Sequence, residues 1–184
     1  MNIANKLTVM RVIIIPLFIV CGLIQSTVCQ YGALALFVIA SYTDYLDGHL
    51  ARKLNLVSDF GKFMDPLADK LLVLAALSLL VYRGEISVWI MFIVVIRELT
   101  VTGLRLIAAS NGRVIQAGMT GKIKTVIQMT VIILALVPWI KDNILMVEAV
   151  GSVTVLDILM YIMVAITLVS GTEYIVRNKD VIKP

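Results

Sequence analysis

Four aspartates lie at fixed spacings between Ser41 and Leu71, inside a chain that is otherwise strongly apolar. They form the pattern Asp44-x-x-Asp47-Gly48-x-x-Ala51-Arg52-x8-Gly61-x3-Asp65-x3-Asp69. Apolar sequence runs up to both ends of this segment, and one aspartate at the centre of a membrane helix costs roughly 2.5–3.5 kcal/mol. Four of them together need a compensating partner, and a divalent cation is the obvious candidate.

The spacing of the aspartates predicts two pairs of carboxylates on two helices. Residues three and four positions apart on a helix share a face, so Asp44 pairs with Asp47 and Asp65 pairs with Asp69. Oxygen ligands without imidazole suit hard divalent cations, Mg²⁺ or Mn²⁺. Four carboxylates can hold two such ions, which clamp the attacking and leaving oxygens of a phosphoryl group. A carboxylate can also take a proton from an attacking hydroxyl, and Asp69 is the predicted base.

Small and basic residues accompany the carboxylates. Gly48 and Ala51 leave room for a ligand to approach the backbone of the second helix, and Arg52 is placed to meet phosphate oxygens. For any single aspartate, the alternative is a helix cap paired with a neighbouring lysine or arginine. That alternative does not account for the whole set at these spacings.

The apolar stretches around these residues predict an all-α membrane protein. The chain has 184 residues, of which 60% are hydrophobic, and its mean hydropathy is +1.00. A membrane-spanning helix needs about 20 apolar residues, and six stretches approach this length: 7–25, 31–46, 67–82, 86–109, 122–140 and 151–176. Residues 1–184 are expected to form a single membrane domain, with residues 1–7 in the membrane interface.

The predicted helices carry the aspartates on the second and third spans. The third helix is expected to begin near Asp65 and Pro66, after a loop from Leu54 to Lys62, because proline suits a first helical turn. Pro138 is expected to end or bend the fifth helix.

The distribution of basic residues orients the helices. If the N-terminus is cytoplasmic, only Arg83 and Lys141 among the loop cations fall outside, which follows the positive-inside rule. Both termini and the aspartate site are therefore expected to face the cytoplasm. The basic excess reflects topology and anionic lipid, since no stretch is long enough to form a basic, water-exposed domain that binds nucleic acid. Cys21 and Cys29 lack the spacing of a thiolate metal site.

Three charged residues outside the aspartate pattern have open roles. Arg97 and Glu98 are adjacent in the fourth predicted helix and could form an internal ion pair. Asp157 lies in the sixth and could have a similar structural role or simply lie near the outer interface.

The aspartate pattern resembles the signature of the CDP-alcohol phosphatidyltransferase family, and every fixed position and spacing is present. The resemblance implies six transmembrane helices around a polar, cytoplasm-facing cavity in the cell membrane, usually in a homodimer. It also implies transfer of a phosphatidyl group from CDP-diacylglycerol to an alcohol, with release of CMP and with Asp69 as base. The metal ligands implied are Asp44, Asp47, Asp65 and Asp69. The residues expected to bind the CDP-lipid are Asn5, Thr8, Gly48, Ala51 and Arg52.

The flanking sequence indicates the acceptor alcohol. Three stretches, Asn2 to Pro16, Ser58 to Leu72 and Arg97 to Met129, resemble the members of the family that use glycerol 3-phosphate. A phosphate-bearing acceptor also suits the basic residues near the cytoplasmic ends of the fourth and fifth helices. The expected contacts to the acceptor phosphate are Arg105, Arg113, Lys122 and Lys124.

Two alternatives stay open at this point. The same transferase could use inositol phosphate, serine or a phosphatidyl lipid as acceptor. A divalent-cation transporter could use the aspartates as its ion site, although no second set of acids serves the other membrane face. Within the transferase interpretation, no Ser, Cys or His is suitably placed for a covalent intermediate, so direct displacement is expected.

Overall fold

The computed structural model describes the backbone of residues 3–54, 59–110, 115 and 118–179, and the side chains of residues 9–43, 68, 70–110, 115 and 118–179. Helices account for most of this part of the chain, which confirms the predicted all-α class. The long helices are α1 (Ile3–Leu23), α2 (Thr27–Leu54), α3 (Asp59–Tyr82), α4 (Val88–Ser110), α5 (Met119–Leu136) and α7 (Val155–Arg177). Between α5 and α7 lie α6 (Pro138–Ile140), a π-helical turn (Lys141–Leu145) and the strands β1 (Glu148–Val150) and β2 (Val153–Thr154).

The long helices pack in two groups. One group is α1 with α2 and α3, and the other is α7 with α4 and α5. Contacts of α3 with α4, and of α5 with α2 and α3, join the groups. The core between them is apolar: the rings of Phe18 and Phe37 lie 5.7 Å apart between centroids, and Leu80, Ile132 and Met163 are fully buried. Tight side-chain packing therefore holds α1, α2, α3, α5 and α7 together.

Large apolar side chains also cover the outside of the bundle. Leu17 on α1, Phe92 on α4, Val126 on α5 and Val169 on α7 are all more than half exposed. Soluble monomers rarely present apolar surface of this extent, so this surface suits lipid. Within the described residues, α5 and α7 are long and apolar enough to cross a membrane by length and composition, and shorter apolar helical segments occupy Val9–Leu23, Thr27–Thr43 and Lys70–Tyr82.

The start of α3 differs from the sequence expectation. The helix begins at Asp59 and includes Asp65 and Pro66, whereas the start was expected near those two residues. The second helix, α2, ends at Leu54, the residue at which the connecting loop was expected to begin. The expectation gave too much weight to Pro66, because a proline removes one backbone hydrogen bond without stopping a helix that is otherwise supported.

The segment between α5 and α7 is more structured than the predicted loop. Pro138 ends α5 as expected, since Val137 is extended and Pro138 starts α6. The strands β1 and β2 pair as an antiparallel hairpin. The hairpin turns at Gly151, whose φ of +59° is a left-handed conformation that favours glycine. Asp157 closes a capping box on α7: its backbone N–H donates to Thr154 Oγ1 at 3.1 Å, and its Oδ2 accepts from Thr154 N at 3.0 Å. Asp157 is therefore a helix-capping residue.

Side chains tie the loops together at one end of the bundle. Arg83, just after α3, donates to the carbonyl of Gly22 near the end of α1, with Nη2 at 2.6 Å and Nε at 3.2 Å. Lys141, just after α6, donates to Glu85 Oε1 at 2.9 Å. This end, which we call the loop-staple end, gathers the end of α1, the α3–α4 turn and the segment after α5.

Candidate active site

All four aspartates lie in helical backbone. Asp44 and Asp47 are in the C-terminal half of α2, and Asp65 and Asp69 are in the N-terminal half of α3. The spacing argument from the sequence therefore applies, since three- and four-residue separations place residues on one helical face. The backbones of α2 and α3 are in contact. The aspartate side chains themselves lie outside the described residues.

The structure also leaves the side chains of other predicted site residues undescribed. The side chains expected to contact the CDP-lipid also lie outside the described residues, although their backbones belong to α1 and α2: Asn5, Thr8, Gly48, Ala51 and Arg52. Arg113 lies outside the described residues altogether.

The helix directions bring the aspartates and the basic residues to the same end of the bundle. At the loop-staple end lie the end of α3 and the start of α4. The start of α3 and the end of α4 therefore lie at the opposite end, which we call the aspartate end. There α2 ends, α4 ends and α5 begins. Lys70, the residue after Asp69, lines a groove together with Glu98 and Leu99 of α4. This groove connects the aspartate segment of α3 with α4.

A polar cavity opens at the aspartate end between α4, α5 and α7. Its volume is about 220 Å³, and three arginines line it together with one carboxylate. The lining residues are Arg97, Arg105, Ile115, Gly118, Thr120, Gly121, Ser170, Glu173, Tyr174, Arg177 and Asn178. Arg177 pairs with Glu173 at 3.1 Å, so Arg97 and Arg105 give the cavity its excess of positive charge.

Arg105 is held by an aromatic side chain of α7. Its Nε donates to Tyr174 Oη at 3.3 Å, and its guanidinium carbon lies 5.4 Å from the centroid of the same ring. Such a cation–π contact is made more often by arginine than by lysine. Tyr174 is buried, and Arg105 is exposed to the cavity. The cation is thus fixed in place while still accessible to a ligand.

Arg97 lies deeper in the same cavity, in a narrow slot. Its Nη2 donates to Ser170 Oγ on α7 at 2.7 Å, and its Nη1 donates to the adjacent Glu98 at 3.3 Å. Glycines form the slot: a methyl group built at Gly171 would lie 3.0 Å from Arg97 Cγ, and one at Gly121 would lie 3.7 Å from Arg97 Nη2. The expected Arg97–Glu98 ion pair is therefore present, and Arg97 lines the cavity in addition.

Glu98 connects α4 to α5 through Lys124. The Lys124 ammonium donates to Glu98 Oε1, and the Lys124 side chain is only 3% exposed. The same carboxylate also accepts from Arg97, so one anion serves the buried Lys124 and the partly buried Arg97. A buried charge needs such partners, because desolvation is costly. This shared ion pair links α4 to α5 next to the groove that Lys70 lines.

The structure separates the predicted acceptor contacts. Arg105 lines the cavity. Lys122 is exposed on the first turns of α5, and Lys124 is buried against Glu98. Among the described residues lining the cavity, neither lysine is present.

Sequence reasoning missed the contribution of α7. Ser170, Tyr174 and Arg177 line the cavity from this helix, yet none was selected. A signal was available, because residues 170, 173, 174 and 177 form a polar stripe with helical spacing in an otherwise apolar segment. That stripe marks the face of α7 that meets the arginines of α4.

The residue types at the four aspartate positions fit a divalent-cation site. Helical backbone at all four positions supplies two carboxylate pairs on adjoining helices, which are hard oxygen donors. Among the described side chains, no group of three or more His, Cys, Asp or Glu residues could hold a metal ion. The metal site at the four aspartates stays a prediction from the sequence.

Comparison with known families identifies the class of protein. A family model described as CDP-alcohol phosphatidyltransferase matches residues 1–169, which is nearly the whole chain. The chain therefore belongs to the CDP-alcohol phosphatidyltransferase family and is a transferase.

Individual relatives match over most of their length. The chain is 41% identical, over 99% of its length and 97% of the relative, to the CDP-diacylglycerol–glycerol-3-phosphate 3-phosphatidyltransferase of Bacillus subtilis (strain 168). It is 34% identical to the protein of the same name from Rickettsia bellii, covering 94% of this chain and 93% of that one. A probable phosphatidylglycerophosphate synthase of Mycobacterium tuberculosis is 35% identical, with 96% of this chain and 81% of the relative covered.

Proposed function

We propose that this protein transfers the phosphatidyl group of CDP-diacylglycerol to glycerol 3-phosphate, giving phosphatidylglycerophosphate and CMP for phospholipid synthesis. The observation that carries the choice of acceptor is the arginine-lined cavity at the same end of the bundle as the aspartates. A phosphate monoester needs such cations, whereas serine does not. Relatives that match over nearly their full length and are named for this reaction support the same choice.

The reaction is a direct displacement at phosphorus. The acceptor hydroxyl oxygen bonds to the lipid-side phosphorus, its proton passes to Asp69, and the bond to the CMP oxygen breaks. Two divalent cations, Mg²⁺ or Mn²⁺, would be held by Asp44, Asp47, Asp65 and Asp69, and would neutralise charge on the pyrophosphate. The nucleotide and pyrophosphate of the donor would be bound by Asn5, Thr8, Gly48, Ala51 and Arg52.

The acceptor phosphate is bound by the basic residues on the α4 side of the site. Arg105 presents its guanidinium to the cavity, and Arg97 adds a second charge at its inner wall. Arg113 and Lys122 remain predicted contacts, and so does Lys124, which in addition holds Glu98. Arginine suits this task because its planar donors match phosphate oxygens in pairs.

The proposed setting is the cytoplasmic membrane. The six long helices would each cross the bilayer within one domain, supported by the apolar outer surface of the bundle. Arg83 and Lys141, the two cations expected outside, both lie at the loop-staple end, which supports cytoplasmic termini and a cytoplasm-facing site. A homodimer is the proposed assembly.

The test is an acceptor panel with the purified full-length protein, CDP-diacylglycerol and Mg²⁺ or Mn²⁺. Radiolabelled glycerol 3-phosphate, inositol phosphate and serine are supplied in turn, and label in the lipid phase is counted. We expect lipid product with glycerol 3-phosphate and release of CMP in equal amount. Product with serine alone, or no product with glycerol 3-phosphate, would refute the proposed acceptor.

A further inference from the structure

The guanidinium of Arg105 has two kinds of edge, and Tyr174 occupies only one. The Nε edge donates to the Tyr174 hydroxyl at 3.3 Å, and the guanidinium carbon lies within cation–π distance of the ring, 5.4 Å from its centroid. Both contacts come from a single side chain. Together they hold the guanidinium beside the ring with Nε towards the Tyr174 hydroxyl.

The other edge of Arg105, formed by Nη1 and Nη2, is left for a ligand. Within the described chain, neither atom has a hydrogen-bond or ion-pair partner among the contacts of Arg105, and the side chain is exposed at the cavity wall. This is the forked edge that binds two oxygens of a phosphate at once. Tyr174 therefore takes the contacts that a ligand does not need.

Tyr174 is itself firmly placed. It is only 8% exposed and packs with Val101 and Leu104 of α4. Asn178 Nδ2 donates to the Tyr174 backbone carbonyl at 2.8 Å near the end of α7. A buried tyrosine on a capped helix end makes a rigid platform.

We propose that Tyr174 is a positioning residue for the acceptor: it holds Arg105 so that the forked guanidinium edge meets the acceptor phosphate. This inference rests on the proposed function. It assigns α7 a part in acceptor selection, although the predicted metal ligands and the base come from α2 and α3. Tyr174 acts through Arg105 and does not touch the reacting atoms.

The first experiment compares two Tyr→Phe variants on the same helix. Tyr174→Phe keeps the ring and removes the acceptor of the Nε hydrogen bond, and Tyr161→Phe is the matched control because Tyr161 is 59% exposed and lies outside the cavity. We expect the KM for glycerol 3-phosphate to rise about three- to tenfold in Tyr174→Phe, because this range lies within the usual net contribution of one hydrogen bond. The kcat and the KM for CDP-diacylglycerol should stay within about twofold of wild type, and the control should match wild type in all three.

The second experiment asks whether the effect passes through Arg105. In an Arg105→Ala background the guanidinium is absent, so adding Tyr174→Phe should leave the acceptor KM unchanged, which is the signature of coupling in a double-mutant cycle. Arg105→Lys serves as an independent variant should Tyr174→Phe not fold. It keeps the charge but lacks the Nε contact and the fork, and we expect it to raise the acceptor KM in the same direction.

Several results would overturn the proposal. An unchanged acceptor KM in Tyr174→Phe, a fall in kcat alone, or equal effects of Tyr174→Phe with and without Arg105 would each show that Tyr174 only supports the fold. Failure of the proposed function looks different: wild-type protein would then make no lipid from glycerol 3-phosphate. In that case the same comparison is run with the acceptor that is used. An acceptor without phosphate overturns the role of Tyr174, whereas a phosphate-bearing acceptor with a raised KM in Tyr174→Phe supports it.

Discussion

Replacing Glu98 with glutamine should destabilise the helix bundle by about 3 kcal/mol. The substitution keeps the volume of the side chain and one hydrogen-bond acceptor, and removes only the charge. It takes away the carboxylate that Lys124 and Arg97 share between α4 and α5. We therefore expect the packing of α4 and α5 with α7 to weaken.

The magnitude follows from burial. Removing one partner of a buried ion pair costs about 3–5 kcal/mol, whereas exposed pairs contribute about 0–1 kcal/mol. Lys124 is 3% exposed, Arg97 11% and Glu98 21%. Partial exposure of Glu98 places the cost at the lower end of the buried range. Glu173→Gln is the matched control, because its partner Arg177 is 70% exposed, and it should lose less than about 1 kcal/mol.

The assay is reversible unfolding of purified protein in mixed micelles by increasing mole fraction of SDS. Tryptophan fluorescence reports the transition, since Trp89 lies on α4 and Trp139 follows α5. The free energy of unfolding is extrapolated to zero SDS for wild type and both variants. If Glu98→Gln loses no more than Glu173→Gln, the shared carboxylate does not stabilise the bundle and the reasoning is wrong.

Three further substitutions test other features. Gly171→Ala places a methyl group 3.0 Å from Arg97 Cγ. It should displace Arg97, cost about 1–3 kcal/mol in SDS unfolding, and raise the acceptor KM. Thr154→Ala removes the hydroxyl of the capping box on α7 and should cost about 1 kcal/mol in the same assay. Asp69→Asn should lower turnover by about 10²–10⁴-fold, the usual contribution of a general base, while CDP-diacylglycerol binding measured by calorimetry is retained.

Each of the three substitutions has a control variant and an outcome that would contradict the expectation. Gly103→Ala on α4 meets nothing within 4 Å and should be neutral or stabilising, so equal losses at the two glycines would contradict the slot around Arg97. Thr172→Ala is the control for the cap, and the same loss there would remove the capping argument. Asp142→Asn, whose side chain is 65% exposed, should keep full activity. Substantial turnover in Asp69→Asn would exclude Asp69 as the base.

Apolar stretches and local sequence features predicted much of this architecture. Long apolar stretches predicted the helices, and Pro138 correctly predicted the end of α5. The adjacency of Arg97 and Glu98 correctly suggested an ion pair. These features depend on residues that are close along the chain, where local rules apply. The predicted start of α3 was wrong because Pro66 was treated as the first turn of the helix.

The side-chain contacts between helices could not be predicted from the sequence. Lys124 meets Glu98 across 26 positions, and Arg105 meets Tyr174 across 69. Such pairs depend on which helices become neighbours and on how each is rotated, and helical spacing within one segment does not determine either. The polar stripe on α7 indicated a buried face, but only packing against α4 shows which side chains it meets.

The parallel course of α4 and α7 has an electrostatic consequence for the cavity. Arg97 pairs with Ser170 and Arg105 with Tyr174, so the contacts follow the same order along both helices. Both helices therefore point their C-terminal ends towards the cavity. Each C-terminus contributes the equivalent of roughly half a negative charge, whereas α5, which begins beside the cavity, contributes the opposite sign. Backbone dipoles therefore work on balance against an anion. The proposed binding of a phosphate here would therefore depend on side-chain cations, unlike in sites where a helix N-terminus holds the phosphate, and each arginine would be harder to replace.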